Sequence, residues 1–178
     1  FKELPAMAKE CRKAGVKIMQ IIGFNRGGQD RGNPCFTPDE RLGGVKELKK
    51  AITGIHKHGV KVLLFCKFPW ADEATQWYRK TLKKHAVKNM FGYVEPHPGY
   101  GYQTIMELML HSNRKFIPMC YASSAYRKIA LKEFAKILGY GADGIQHDEL
   151  ILHFRGYCFS KGHGHKEGAA LANGVLEL

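Results

Sequence analysis

The same short pattern occurs three times in this chain: a helix-like segment, a glycine, and then a short segment containing Val or Ile. The glycines are Gly15, Gly59 and Gly141. Glycine ends a helix well because it adopts a left-handed backbone conformation without strain. Apolar strands that alternate with amphipathic helices favour a parallel sheet covered by helices. The repeat therefore predicts an α/β fold, either a TIM-type (β/α) barrel or a partial barrel with parallel strands and outer helices.

Hydrophobic spacing predicts where these elements lie. Apolar residues three or four positions apart predict helices over residues 4–14, 45–58, 71–86 and 123–138. Short β-rich runs predict strands over residues 16–22, 60–65 and 144–147, with loops over residues 23–43 and from residue 154 onward. A complete barrel is typically about 250 residues long. We therefore expect residues 1–178 to form one partial barrel, a fragment of a longer protein.

Bulk properties are those of a globular domain. The chain has 178 residues, of which 44% are hydrophobic and 25% charged. No apolar run approaches the ~20 residues that a membrane helix needs, so no membrane association is expected. The chain opens without Met and without a signal-peptide pattern. This start favours an internal piece or a processed product.

The charge balance is strongly basic, with 28 Lys and Arg against 16 Asp and Glu. Such an excess is typical of proteins that bind polyanions. Here, however, many lysines fall on helical stretches, where they would form solvated faces, and aromatic residues do not alternate with them. The pattern therefore does not favour nucleic acid as a partner.

The five cysteines show no framework spacing and no Cys-x-x-Cys motif. An odd, scattered set is typical of reduced thiols that are mostly buried as small apolar groups. We therefore expect unpaired cysteines, which favours a reducing compartment such as the cytoplasm.

Two carboxylates, Asp148 and Glu149, follow the predicted strand at residues 144–147. In α/β barrels the carboxyl ends of the strands form the active face. Side chains alternate along a strand, so Gln146 and Asp148 share the face opposite Ile145, which we expect to be the barrel interior. In the alternative interpretation, the two carboxylates cap the next turn or pair with Arg155.

Residues 141–148, Gly-Ala-Asp-Gly-Ile-Gln-His-Asp, resemble the Gly-x-Asp-Gly-x-Arg-x-Asp strand of α-amylase-type enzymes. Residues 23–44 resemble the substrate loop of α-galactosidase-like barrels, and most of the chain is similar to an uncharacterised group of glycosidase-like barrel proteins. The resemblance implies a glycoside hydrolase fold, a carbohydrate substrate and a nucleophile or charge stabiliser at Asp148. The family's arginine position holds Gln146 in this chain. Glu149 is the secondary candidate for the acid/base, which would more naturally come from a later strand.

Further residues are candidates for substrate contact. Lys67 lies just after the second predicted strand, and Trp70 offers either a ring for stacking on a sugar face or ordinary core packing. Asp72 is predicted to cap the helix over residues 71–86. The full set of predicted substrate contacts is Arg26, Asp30, Lys67, Trp70, Gln146, His163 and His165.

A metal site is the alternative to the carboxylate site. The leading interpretation needs no cofactor. Cys158, His163 and His165 lie close together in the sequence, and with a bound water they would form a Lewis-acid zinc site for hydrolysis. A non-catalytic barrel that binds a polyanion or a glycan is the third interpretation. An incomplete barrel would also expose apolar edges, so we expect the remaining barrel segment or a second copy as a partner.

Overall fold

The computed structural model of the chain describes residues 1–29, 31–96, 116–150 and 156–177. The chain divides into two compact units, the first formed by Phe1–Lys67 and Leu131–Asp148, the second by Phe68–Ala130 and Glu149–Leu178. Among the described residues, no helix combines the length and the apolar character needed to cross a membrane.

Helices and strands alternate in the first unit and are shorter in the second. The helices are α1 (Leu4–Lys13), α2 (Gly44–His56), α3 (Gln76–Lys80), α4 (Ser124–Leu138) and α5 (Leu171–Val175). The strands are β1 (Ile18–Ile21), β2 (Lys61–Cys66), β3 (Trp70–Asp72), β4 (Phe116–Pro118), β5 (Gly144–His147), β6 (Tyr157–Cys158) and β7 (Ala169–Ala170). Single 3₁₀ turns cover Glu40–Leu42, Leu82–His85 and Lys161–His163.

A parallel three-stranded sheet forms the core of the first unit, in the order β1-β2-β5. Leu64 in the central strand lies opposite Ile21 on one side and Ile145 on the other. Val62 and Leu64 are fully buried, as expected for a strand with neighbours on both edges. The predicted α/β class with parallel strands is confirmed. The strands that the structure describes do not close into a barrel.

The three repeated glycines have the conformation that their position requires. Gly15, Gly59 and Gly141 have φ angles of 80°, 68° and 95°. Each follows a helix and turns the chain into the next strand, where a side chain would strain the left-handed backbone. The repeated pattern therefore marks the three helix-to-strand connections correctly.

Asp143 joins two of these helix-to-strand connections through hydrogen bonds. Its carboxylate accepts a hydrogen bond from the Val62 backbone N–H at 2.8 Å and lies 2.7 Å from Nε2 of His56. The Asp143 backbone N–H donates to the Val62 carbonyl in turn. The hydrogen bond from Val62, followed by the nearby His56, lowers the pKa of Asp143. The first aspartate of the motif therefore has a structural role, because it holds the end of α2 and the starts of β2 and β5.

The predicted helix over residues 71–86 is wrong, and so is the predicted cap at Asp72. The segment contains the end of β3, the short helix α3 and a 3₁₀ turn. Asp72 instead accepts a hydrogen bond from the Ala74 N–H, while the hydroxyl of Thr75 caps α3 by accepting from the Tyr78 N–H at 3.0 Å. The helix is interrupted at Thr81, whose φ of −129° and ψ of −51° depart from helical values.

The second unit contains two small antiparallel sheets. Strand β3 pairs with β4, and the two-residue strands β6 and β7 pair with each other. The segment predicted as a loop from residue 154 onward therefore contains regular structure, including β6, β7 and α5. Sequence periodicity could not show it, because two-residue strands have no measurable period.

Candidate functional site

Lys67 and Asp148 form an ion pair at the carboxyl ends of β2 and β5. The Lys67 Nζ lies 3.3 Å from Oδ2 of Asp148. The lysine side chain is 8% exposed and the carboxylate 33% exposed, so the pair has one protected and one accessible partner. The Asp148 backbone N–H donates to the Cys66 carbonyl and continues the parallel ladder by one residue. The structure thus brings together two of the predicted site residues at the end of the sheet.

Two amides lie on the exposed face of the same sheet. Gln20 of β1 donates from Nε2 to Oε1 of Gln146 in β5, across the central strand. Both side chains are exposed. Alternation places Gln146 on the face opposite Ile145, and Asp148 follows on the face of Gln146.

A buried thiol and an imidazole lie next to Asp148. Burial raises the pKa of the Cys66 thiol, and the negative charge of Asp148 adds to the rise. Burial also lowers the pKa of His147, whose Nδ1 lies 3.2 Å from the Asp148 carbonyl. Neither shift favours the thiolate or the imidazolium, and the ion pair at this end of the sheet is that of Asp148 with Lys67.

Glu149, the secondary catalytic candidate, begins the second unit. Its φ of 56° places it in the left-handed region, which residues other than glycine rarely adopt. Strained backbone of this kind is enriched at functional sites. The role of Glu149 as acid/base stays a prediction.

The long loop after β1 carries two further predicted contacts, Arg26 and Asp30. Arg26 is exposed, whereas Asp30 lies outside the described residues, as does Arg155. The loop is fixed by Asp39, whose carboxylate accepts from Arg41 and from the Gly27 N–H. The hydrogen bonds from Arg41 hold the pKa of Asp39 well below its usual range.

Trp70 lines a cleft of about 330 Å³ in the second unit. The cleft also presents an aromatic ring from Tyr157, an amide from Asn89 and a carboxylate from Glu95. Aromatic faces combined with a few polar groups are typical of small-molecule sites. The position of Trp70 is therefore compatible with its predicted role as a stacking platform.

His163 and His165 lie beside two cysteines, not on an open loop. Cys158 Sγ is 3.4 Å from Nδ1 of His163, and Cys120 Sγ is 3.2 Å from Nε2 of His165. The two histidines do not share one extended segment. The first belongs to a 3₁₀ turn, and Gly164, with φ 72°, then reverses the chain so that both rings reach the same point.

Cys120 lies in one cluster with Cys158, His163 and His165, a position that was not predicted from the sequence. It lies 38 positions before Cys158 and follows a short strand, with no motif around it. Its hydrogen bond with Cys158 raises the pKa of Cys120, while the same bond is the main cause that lowers the pKa of Cys158. All five cysteines are free thiols, as predicted.

A basic cleft of about 910 Å³ also lies in the second unit. Among the described residues that line it, only Glu167 is acidic. The cations that line it are Arg79, Lys80, Lys83, Lys84, Lys88 and Lys161. Part of the chain's charge excess is therefore concentrated at one surface, which the sequence pattern alone did not indicate.

Solved structures place this fold among sugar-cleaving enzymes. The chain is similar to the α-N-acetylgalactosaminidase NagBb from Bifidobacterium bifidum, with a TM-score of 0.78 at 15% identity, over 99% of this chain and 26% of the enzyme. The α-galactosidase TtGalA from Thermus thermophilus gives 0.63 at 14% identity, over 87% of this chain and 30% of that one. A trehalose-6-phosphate hydrolase from Bacillus licheniformis gives 0.57 at 11% identity, over 88% and 31%.

The α/β fold of this chain is thus similar to that of glycosidase domains, and the chain spans about a quarter of the length of the Bifidobacterium enzyme. No curated protein matches the chain. The family model of a domain of unknown function, DUF6259, matches residues 4–171, so the chain belongs to that family.

Proposed function

We propose that this chain is the part of a glycoside hydrolase that carries the catalytic nucleophile, Asp148. The observation that carries the proposal is the Lys67–Asp148 pair, at the carboxyl ends of two neighbouring parallel strands. A carboxylate in this position can attack an anomeric carbon or stabilise an oxocarbenium-like transition state. The fold similarity to α-galactosidases and an α-N-acetylgalactosaminidase supports a carbohydrate substrate.

Each neighbour of Asp148 has a defined part in the proposal. The buried Lys67 ammonium fixes one carboxylate oxygen, which orients the other oxygen toward the exposed face. Gln146 lies one strand position earlier on that face and donates or accepts a hydrogen bond to a sugar hydroxyl. Arg26, Asp30 and Trp70 remain proposed substrate contacts. His163 and His165 are not proposed as substrate contacts, because each lies against a cysteine thiol.

The acid/base belongs either to Glu149 or to a strand beyond this chain. A retaining enzyme needs the second carboxyl about 5–5.5 Å from the nucleophile, and an inverting enzyme about 6.5–9.5 Å. Since the chain covers about a quarter of the related enzyme, we favour a residue from the remainder of the protein.

The test is hydrolysis of a panel of aryl α- and β-glycosides by the full-length protein and its Asp148→Asn and Asp148→Ala variants. We expect cleavage of one glycoside, loss by several orders of magnitude in both variants, and partial rescue of Asp148→Ala by azide with formation of a glycosyl azide. Glu10→Gln, an exposed carboxylate paired with Lys13, is the matched control. Full activity in Asp148→Asn would exclude it as the nucleophile.

The basic cleft favours a second candidate function, non-catalytic binding of an anionic glycan. Six cations against one carboxylate create a positive field inside a concave surface. Binding of heparin should then weaken steeply with salt, and a Lys83→Ala/Lys88→Ala variant should show a shallower slope of log affinity against log salt. A salt-independent affinity, or an unchanged slope in the variant, would contradict this function.

A further inference from the structure

Four ligand atoms from separate parts of the second unit meet at one point. The thiols of Cys120 and Cys158 and one ring nitrogen each of His163 and His165 all lie within 4.8 Å of one another. Zinc binds sulfur at about 2.3 Å and nitrogen at about 2.0–2.1 Å, which places S and N about 3.5 Å apart in a tetrahedron. Two of the sulfur–nitrogen distances in the cluster, 3.2 and 3.4 Å, are near that value.

The outer nitrogens of both histidines are fixed by backbone carbonyls. His163 Nε2 lies 2.8 Å from the Lys84 carbonyl, and His165 Nδ1 lies 2.9 Å from the Lys166 carbonyl. A carbonyl can only accept, so each of these nitrogens carries the proton and the inner nitrogen has a free lone pair. This is how metal-binding histidines are usually held.

We propose that Cys120, Cys158, His163 and His165 bind one Zn²⁺ in a closed, structural site. Two thiolates and two imidazoles suit zinc better than the oxygen-binding cations Ca²⁺ and Mg²⁺. The three-ligand site considered from the sequence left a position for a catalytic water. Cys120 takes that position as the fourth ligand, so the metal stabilises the fold and activates no water.

The surroundings of the cluster explain why a metal is useful there. Cys120 and Cys158 are fully buried, and within the described part of the chain the apolar cluster around them adds only Leu171, with Val87 and Ala122 packed against it. Strands of two residues and a helix of five contribute little cooperative hydrogen bonding. A four-ligand zinc ion would join the segment after β4, the strand β6 and the 3₁₀ turn at residues 161–163.

The test is the metal content of the full-length protein, purified without chelator under reducing conditions. We expect about one zinc ion per chain in the wild type. Cys120→Ser and His165→Gln should each lose it, whereas Cys11→Ser and Cys35→Ser, which change partly exposed thiols outside the cluster, should keep it. Cobalt exchanged into the wild type should give the intense visible bands of a tetrahedral ion and a thiolate charge-transfer band.

Wild-type measurements keep the proposal falsifiable where a variant fails to fold. A folded wild type that retains no zinc and binds no cobalt would overturn the proposal, and so would a Cys120–Cys158 disulfide under reducing conditions. The weak bands of octahedral cobalt would overturn it too. Metal content does not depend on glycoside cleavage, so this proposal and the glycosidase proposal succeed or fail separately.

Discussion

At the scale of single residues, the Lys67–Asp148 pair joins a buried cation to a partly exposed carboxylate. Lys67→Met should destabilise the protein by about 1–3 kcal/mol, because it leaves Asp148 without this partner. The double variant Lys67→Met/Asp148→Asn should lose less stability than the sum of the losses in the two single variants. Urea unfolding of the wild type, the two single variants and the double variant measures the coupling energy between the two side chains. Strict additivity of the changes in unfolding free energy would show that the ion pair contributes nothing to stability.

Asp143 makes stability depend on pH in a defined direction. Its pKa is lowered in the folded protein, mainly by the Val62 N–H. The stabilisation is therefore present above the unfolded pKa of about 3.9 and is lost as pH falls through the lower folded value. Asp143→Asn should reduce stability by about 1 kcal/mol at neutral pH. It should also flatten the acidic part of the curve of unfolding free energy against pH. Denaturant unfolding at a series of pH values from pH 6 downward measures this dependence. The control variant Glu10→Gln should leave the acidic part of the curve unchanged.

At the scale of elements, the helix-to-strand glycines provide a direct test. Gly59 has φ 68°, and a Cβ there would meet only Arg12, at 3.8 Å, so the cost of Gly59→Ala is backbone strain without a steric clash. We expect a loss of about 1–2 kcal/mol in thermal unfolding. Gly162→Ala is the control, because its φ is not positive and its Cβ position is open. Equal losses of stability in Gly59→Ala and Gly162→Ala would contradict backbone strain at Gly59 as the cause.

The same elements show what sequence could and could not predict. The helices and strands of the first unit followed from long apolar periods and from Gly15, Gly59 and Gly141. The error over residues 71–86 arose because the helical spacing there continues through a strand, a cap at Thr75 and a break at Thr81. Lys67 and Asp148 were predictable as neighbours because strand ends meet at one sheet edge. Cys120 was not, because only tertiary folding brings it to Cys158.

At the scale of the whole molecule, the chain holds two units stabilised in different ways. A parallel sheet covered by helices stabilises the first, whereas short strands surround the cysteine–histidine cluster in the second. If zinc stabilises the second unit, its removal should act mainly there. Hydrogen exchange should rise around residues 156–171 and near Cys120 after chelation, while β2 in the first unit keeps its protection. A uniform rise in both units would mean that the metal stabilises the chain as a single cooperative body, and no rise would mean that these four side chains hold no structural metal.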